Sequence, residues 1–186
     1  IGIYVSGKYA YVGDSTAGLK IIDVTNPSAP TLTGTYNTTG NAENIYVSGK
    51  YAYVTDNASG LEIIDISNPS NPTLAGNYNT PDLAEGLYVS GKYAYVGGTA
   101  SGLEIIDISN PSTPARVGNY ATTTALGVYV SGKYAYLADG TNGMRILNIS
   151  NPSAPTLTGT FATVFAESVY VSGKYAYVAD SSGGVK

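Results

Sequence analysis

Residues 46–69 read YVSGKYAYVTDNASGLEIIDISNP, and their reading decides the fold. The runs Ile45–Ser48 and Tyr51–Val54 are short, aromatic and β-branched, which is strand composition. Ser48-Gly49-Lys50 between them supplies a tight turn, and the tyrosines of the second run share one face. Asp56 to Gly60 reads as a second turn, because Asp bonds its own backbone and Gly accepts a positive φ. A third strand, Leu61–Ile66, is stopped by Asn68-Pro69, since proline lacks a ladder donor. A fourth, Thr73–Tyr78, completes the unit, and no 3.6-residue period interrupts it.

The unit recurs. YVSGKYAY begins at Tyr4, Tyr46, Tyr88, Tyr129 and Tyr170, at spacings of 42, 42, 41 and 41 residues. Between the copies run GLKIIDVTNPSAP from Gly18, GLEIIDISNPSNP from Gly60, GLEIIDISNPSTP from Gly102 and GMRILNISNPSAP from Gly143. Four strands in 41–42 residues is the arithmetic of a β-propeller blade. The expected fold is therefore all-β: one propeller over residues 1–186, of four-stranded antiparallel blades. Its units lie at about 4–45, 46–87, 88–128 and 129–169, with a partial fifth at 170–186. Starting at Ile1 and stopping at Lys186, within a third strand, the chain reads as a fragment or an incompletely closed propeller.

Composition removes several functions. The chain has no Cys, His or Trp, which excludes disulfides, Cys or His zinc sites and His-based nucleophile pairs. A net charge of −4 argues against a nucleic-acid partner, and no apolar run reaches transmembrane length.

The motifs Gly-Leu-x-Ile-Ile-Asp-Ile-Ser-Asn-Pro and Tyr-Val-Ser-Gly-Lys-Tyr-Ala-Tyr-Val resemble those of the LVIVD-repeat family. The resemblance implies a propeller, typically in secreted or surface-attached bacterial and archaeal proteins. It supplies no catalytic residues to carry over.

Strand alternation sorts the loops into two sets. The Ser-Gly-Lys and Asn-Pro-Ser-x-Pro turns form a nearly constant set, and the Asp turns and unit-to-unit connections form the other. The connections 37–44, 79–86, 121–127 and 162–168 differ in sequence and length. Loops drift cheaply, yet the Asn-Pro loops have not, so variation confined to one set suits a binding surface. Its partner-facing residues are Asn41, Asn44, Asp82, Leu83, Thr124, Leu126 and Phe165. Asp14, Asp56, Asp139 and Asp180 hold equivalent turn positions, broken by Gly98, and read as turn caps. Glu43, Glu85 and Glu167, broken by Leu126, are expected at a channel mouth, where Ca²⁺ is the candidate ion; otherwise no cofactor is expected.

Lys8, Lys50, Lys92, Lys133 and Lys174 make the constant set basic, and read as exposed, solubilising residues. Asp23, Asp65 and Asp107, with Asn148, are expected to bond the backbone of the Asn-Pro turns. The recurring tyrosines read as packing residues. Three sequons begin at Asn37, Asn57 and Asn148.

The function expected is a non-enzymatic binding or adhesion module, extracellular or at the cell surface, with a protein or surface glycan as partner. A structural spacer or fibre subunit is the alternative. A carboxylate-dependent carbohydrate-active enzyme ranks below both, because the three glutamates recur as architecture does.

Overall fold

A two-residue hairpin loop starts each unit: Ser48 pairs with Tyr51, and Gly49 takes a φ of 59°, open to glycine without strain. The computed structural model describes residues 2–186. Its strands form four-stranded antiparallel sheets and one three-stranded sheet, each in sequence order. The first holds β1 (Ile3–Ser6), β2 (Tyr9–Gly13), β3 (Leu19–Asp23) and β4 (Thr31–Tyr36). The second holds β5 (Ala42–Ser48), β6 (Tyr51–Asp56), β7 (Gly60–Asp65) and β8 (Thr73–Tyr78). The third holds β9 (Ala84–Ser90), β10 (Tyr93–Gly98), β11 (Gly102–Asp107) and β12 (Ala115–Tyr120). The fourth holds β13 (Gly127–Ser131), β14 (Tyr134–Ala138), β15 (Met144–Asn148) and β16 (Thr156–Phe161). The fifth holds β17 (Ala166–Ser172), β18 (Tyr175–Asp180) and β19 (Gly184–Val185). This is the expected propeller-like repeat.

Two boundaries differ from the sequence expectation. The first strand of the second unit starts at Ala42, so Glu43 lies inside it, and the Asp turn shrinks because β6 runs through Asp56.

The chain forms two compact units: Ile1–Ala84 with Asn110–Pro114, and Glu85–Ser109 with Ala115–Lys186. The first unit is built on Tyr11, Leu19, Ile21, Ile45, Val54 and Ile64. The second has one cluster around Leu103, Ile105, Leu137 and Leu147, and another around Met144, Val169 and Val178. Ile63 and Ile64, adjacent in β7, are both fully buried.

A β-bulge lies between the third and fourth strands of each complete sheet, at Ile21/Ile22, Ile63/Ile64, Ile105/Ile106 and Ile146/Leu147. Beside the first three of these, a glycine meets the Asn-Pro loop of the following repeat. A Cβ on Gly34 would stand 2.1 Å from the Pro69 carbonyl oxygen, on Gly76 2.2 Å from that of Pro111, and on Gly118 2.1 Å from that of Pro152. The Asn-Pro loops are thus packing elements pressed onto backbone, which explains their constancy without a partner.

Candidate functional site

The turn aspartates hold the connections. Asp56 is fully buried; Gly40 N donates to its Oδ2 at 2.7 Å and Ala58 N to its Oδ1 at 3.1 Å. Thr124 N donates to Asp139 Oδ1 at 3.1 Å, and Phe165 N donates to Asp180 Oδ1 at 2.8 Å. Each of these carboxylates therefore fixes the backbone of the connection entering its own sheet, beyond capping a turn. Asp14 is exposed, and Gly98 has no side chain to play this part.

Further backbone bonds seat the same connections on the sheet they leave: Ala42 N to Ser15 O at 3.0 Å and Ala166 N to Gly140 O at 2.9 Å. Variable loops are thereby held in one conformation while their side chains differ.

In the first unit, Asn57 gathers predicted residues. Its N–H donates to Asn41 O, and its Nδ2 donates to Glu43 Oε1, both at 3.1 Å. Glu43 is the extra residue of a bulge between Ala42 and Asn44, and Asn44 N donates to Thr55 Oγ1 at 3.0 Å. Asp82 O accepts from Thr80 Oγ1 at 2.6 Å, and Leu83 beside it is 47% exposed.

In the second unit, Thr124 and Phe165 converge on Gly140, where a Cβ would stand 3.1 Å from Thr124 Cβ and 3.3 Å from Phe165 Cε2. Leu126 N donates to Ala138 O at 2.9 Å. Glu85 lies half-buried in β9, while Glu167 is an exposed bulge residue of β17. Among the described residues, no three acidic side chains gather closely enough to hold a metal ion.

The lysine set is exposed, as expected, and three of its members are also paired. Lys8, Lys50 and Lys92 pair with Asp23, Asp65 and Asp107 at 3.2, 3.0 and 3.3 Å. Each also lies over the next tyrosine, with Nζ 5.0–5.1 Å from the ring centroid. The positive charge is neutralised locally in these repeats, so this set is less basic than a count of lysines implies. The same aspartates bond backbone as expected, Asp65 Oδ1 accepting from Ser67 N at 2.9 Å. Hydrogen bonds from Ser67, then from Lys50, hold the Asp65 pKa down at about 2; Thr25 and Lys8 do the same for Asp23.

Sequence reasoning left two features unread: which tyrosines the expected packing brings together, and a set of charges. The tyrosines of the first strands stack across sheets within each compact unit: Tyr4 on Tyr46 at 4.9 Å, Tyr88 on Tyr129 at 4.9 Å and Tyr129 on Tyr170 at 5.2 Å between centroids. Their rings are tilted at 46–75°, which is packing geometry and no flat platform for a sugar. The second is a set of charged residues in the middle of third strands: Glu62, Glu104 and Arg145. Their shared position, the x of Gly-(Leu/Met)-x-Ile, was the signal available. Arg116 Nη1 donates to Glu104 Oε1 at 3.1 Å, and Arg145 Nε to Asp139 Oδ2 at 2.5 Å.

An apolar cleft of about 450 Å³ in the second unit is lined by Met144, Ile146, Phe161, Val171 and Val178, among others. None of the acidic or connection residues discussed above lines it.

The sequence profile of the LVIVD repeat matches residues 2–38, 39–80, 83–122, 124–163 and 165–185. No curated protein matches the sequence. Solved structures similar to the chain include a protein of unknown function from Desulfotomaculum acetoxidans, with a TM-score of 0.78 and 15% identity over 95% of this chain and 61% of that one. A protein provisionally assigned as a 6-phosphogluconolactonase from Bacteroides fragilis gives 0.81 and 15% over 97% and 63%. A chain of a nidogen/laminin complex gives 0.71 and 15% over 97% and 71%. At these identities the likeness shows the fold alone. The chain spans 56% of the computationally designed Ika8 protein and 61% of the Desulfotomaculum structure.

Proposed function

Because this chain belongs to the LVIVD-repeat family, whose repeats cover nearly all of it, we propose that it is a non-enzymatic binding module of a secreted or cell-surface protein. Side chains of the unit-to-unit connections take its partner, a protein or surface glycan. One observation carries the reading: connections that differ in sequence are pinned by backbone bonds to buried Asp56, Asp139 and Asp180, while the Asn-Pro loops are constant because they pack. Rigid backbone with changeable side chains lowers the entropy lost on binding, as preorganisation requires. That a similar fold occurs in a nidogen/laminin complex supports a protein partner.

The test is an array of purified surface glycans and extracellular proteins, probed with the chain and two variants. Leu83→Ala/Phe165→Ala alters connections, and Lys133→Ala/Lys174→Ala alters the opposite turns. Signals lost with the first variant and kept with the second support the reading. No signal, or equal loss with both, favours the spacer alternative.

A further inference from the structure

Beyond the connection surface, one buried charge arrangement in the first unit is left unbalanced. Glu62 is 4% exposed and its Oε2 has no hydrogen-bond partner, while Thr39 Oγ1 donates to its Oε1 over a long 3.4 Å. The fully buried Asp56 lies nearby with both oxygens on backbone N–H groups. Ser59 Oγ and Thr39 Oγ1 are in close hydroxyl contact at the same place. The Tyr36 hydroxyl lies within the field of both acids, which, after burial, raise its pKa. Burial, and then Asp56, push the Glu62 carboxyl upward, because two unscreened negative charges in a dry pocket repel.

The chain contains its own control for this pocket. In the repeat pattern Tyr36 of β4 corresponds to Tyr120 of β12, and Asp56 and Glu62 of sheet two correspond to Asp139 and Arg145 of sheet four. There Arg145 Nε donates to Asp139 Oδ2 at 2.5 Å, and Nη1 donates to the Tyr120 hydroxyl at 3.4 Å. A cation thus bridges the turn aspartate of sheet four and the tyrosine that ends β12. The second sheet has the same aspartate, and β4 ends on the same tyrosine, but a second carboxylate stands in place of the guanidinium.

We propose that a calcium-type divalent cation occupies this pocket, held by Asp56 and Glu62 with the Thr39 and Ser59 hydroxyls. The ligand set is all oxygen, two carboxylates balance a double charge, and water completes the shell that Ca²⁺ takes. Thr39 and Ala58 are exposed, which leaves a way in. Ca²⁺ fits better than Mg²⁺, which demands a near-ideal octahedron and sheds water reluctantly.

Thermal unfolding of the whole chain in EGTA and in about 1 mM CaCl2 tests this, with calorimetric titration for stoichiometry. Ca²⁺ is expected to raise the wild-type Tm by about 4 °C or more, with a single site per chain. Glu62→Gln, a neutral isostere, is expected to lose that shift. Glu62→Arg, which copies sheet four, should lose it too and melt in EGTA above the wild type. A wild-type Tm indifferent to Ca²⁺ overturns the proposal. So does a Ca²⁺ shift that survives in Glu62→Gln. A Tm that instead rises as pH falls from about 7 to 5 in EGTA, with no Ca²⁺ response, also overturns it and assigns a proton to Glu62.

Discussion

The carbonyl oxygen of Pro69 lies against Gly34 so closely that a Cβ there would stand 2.1 Å from it. The same contact joins Gly118 to Pro152, so successive repeats meet backbone to backbone. Gly34→Ala must push the Asn-Pro loop away and is expected to cost about 1–3 kcal/mol, the range for overpacking. Gly159→Ala is the control, since nothing lies within 4 Å of its Cβ position. That change should fall within about 0.5 kcal/mol of neutral. Urea unfolding of both variants decides; equal losses would remove the contact from the account.

Arg145 and Asp139 form a pair whose acid is wholly buried and whose base is 22% exposed. Removing the guanidinium alone strands a charge in a dry site, so Arg145→Met should destabilise by about 3–5 kcal/mol. Adding Asp139→Asn should recover part of that loss. A double-mutant cycle with no coupling energy would show the pair to be unimportant.

Asp65 should titrate near 2 in the folded protein, followed by its side-chain carboxyl resonance. Its pKa is lowered on folding, so the associated stability is present above the unfolded carboxylate value of about 3.9 and disappears as pH falls through about 2. The Ser67 hydroxyl and amide outweigh Lys50 as causes. Ser67→Ala is therefore expected to raise the Asp65 pKa more than Lys50→Met does, and added NaCl should matter little to the Ser67 part. The opposite ranking would make the lysine pair dominant.

Thr55 is fully buried, and its hydroxyl accepts from Asn44 N beside the bulge at Glu43. Thr55→Val keeps the shape and removes that acceptor, at a cost of about 1–3 kcal/mol. Faster amide exchange at Asn44 in this variant is the second readout expected. An unchanged exchange rate and midpoint would argue that another acceptor takes over.

The strand order, turn positions and repeat were legible in residues 46–69 and their copies, because period-two patterning and Gly, Asn and Pro at turns act over a few residues. The backbone role of Asp65 was legible for the same reason: its partner Ser67 is two residues away. The identity of charge partners was not. Lys50 meets Asp65 across a hairpin, and Asp56 reaches back to Gly40 on the connection, so neither contact exists until strands pair. Glu62 and Arg145 occupy the same place in the repeat, the x of Gly-(Leu/Met)-x-Ile, and no local pattern names their partners. Only tertiary packing made both of them matter, by covering that place with Tyr36 or Tyr120 and the adjoining connection. Once water is excluded there, the sign of one side chain determines whether Asp56 or Asp139 is neutralised from within the chain or left to a partner from outside.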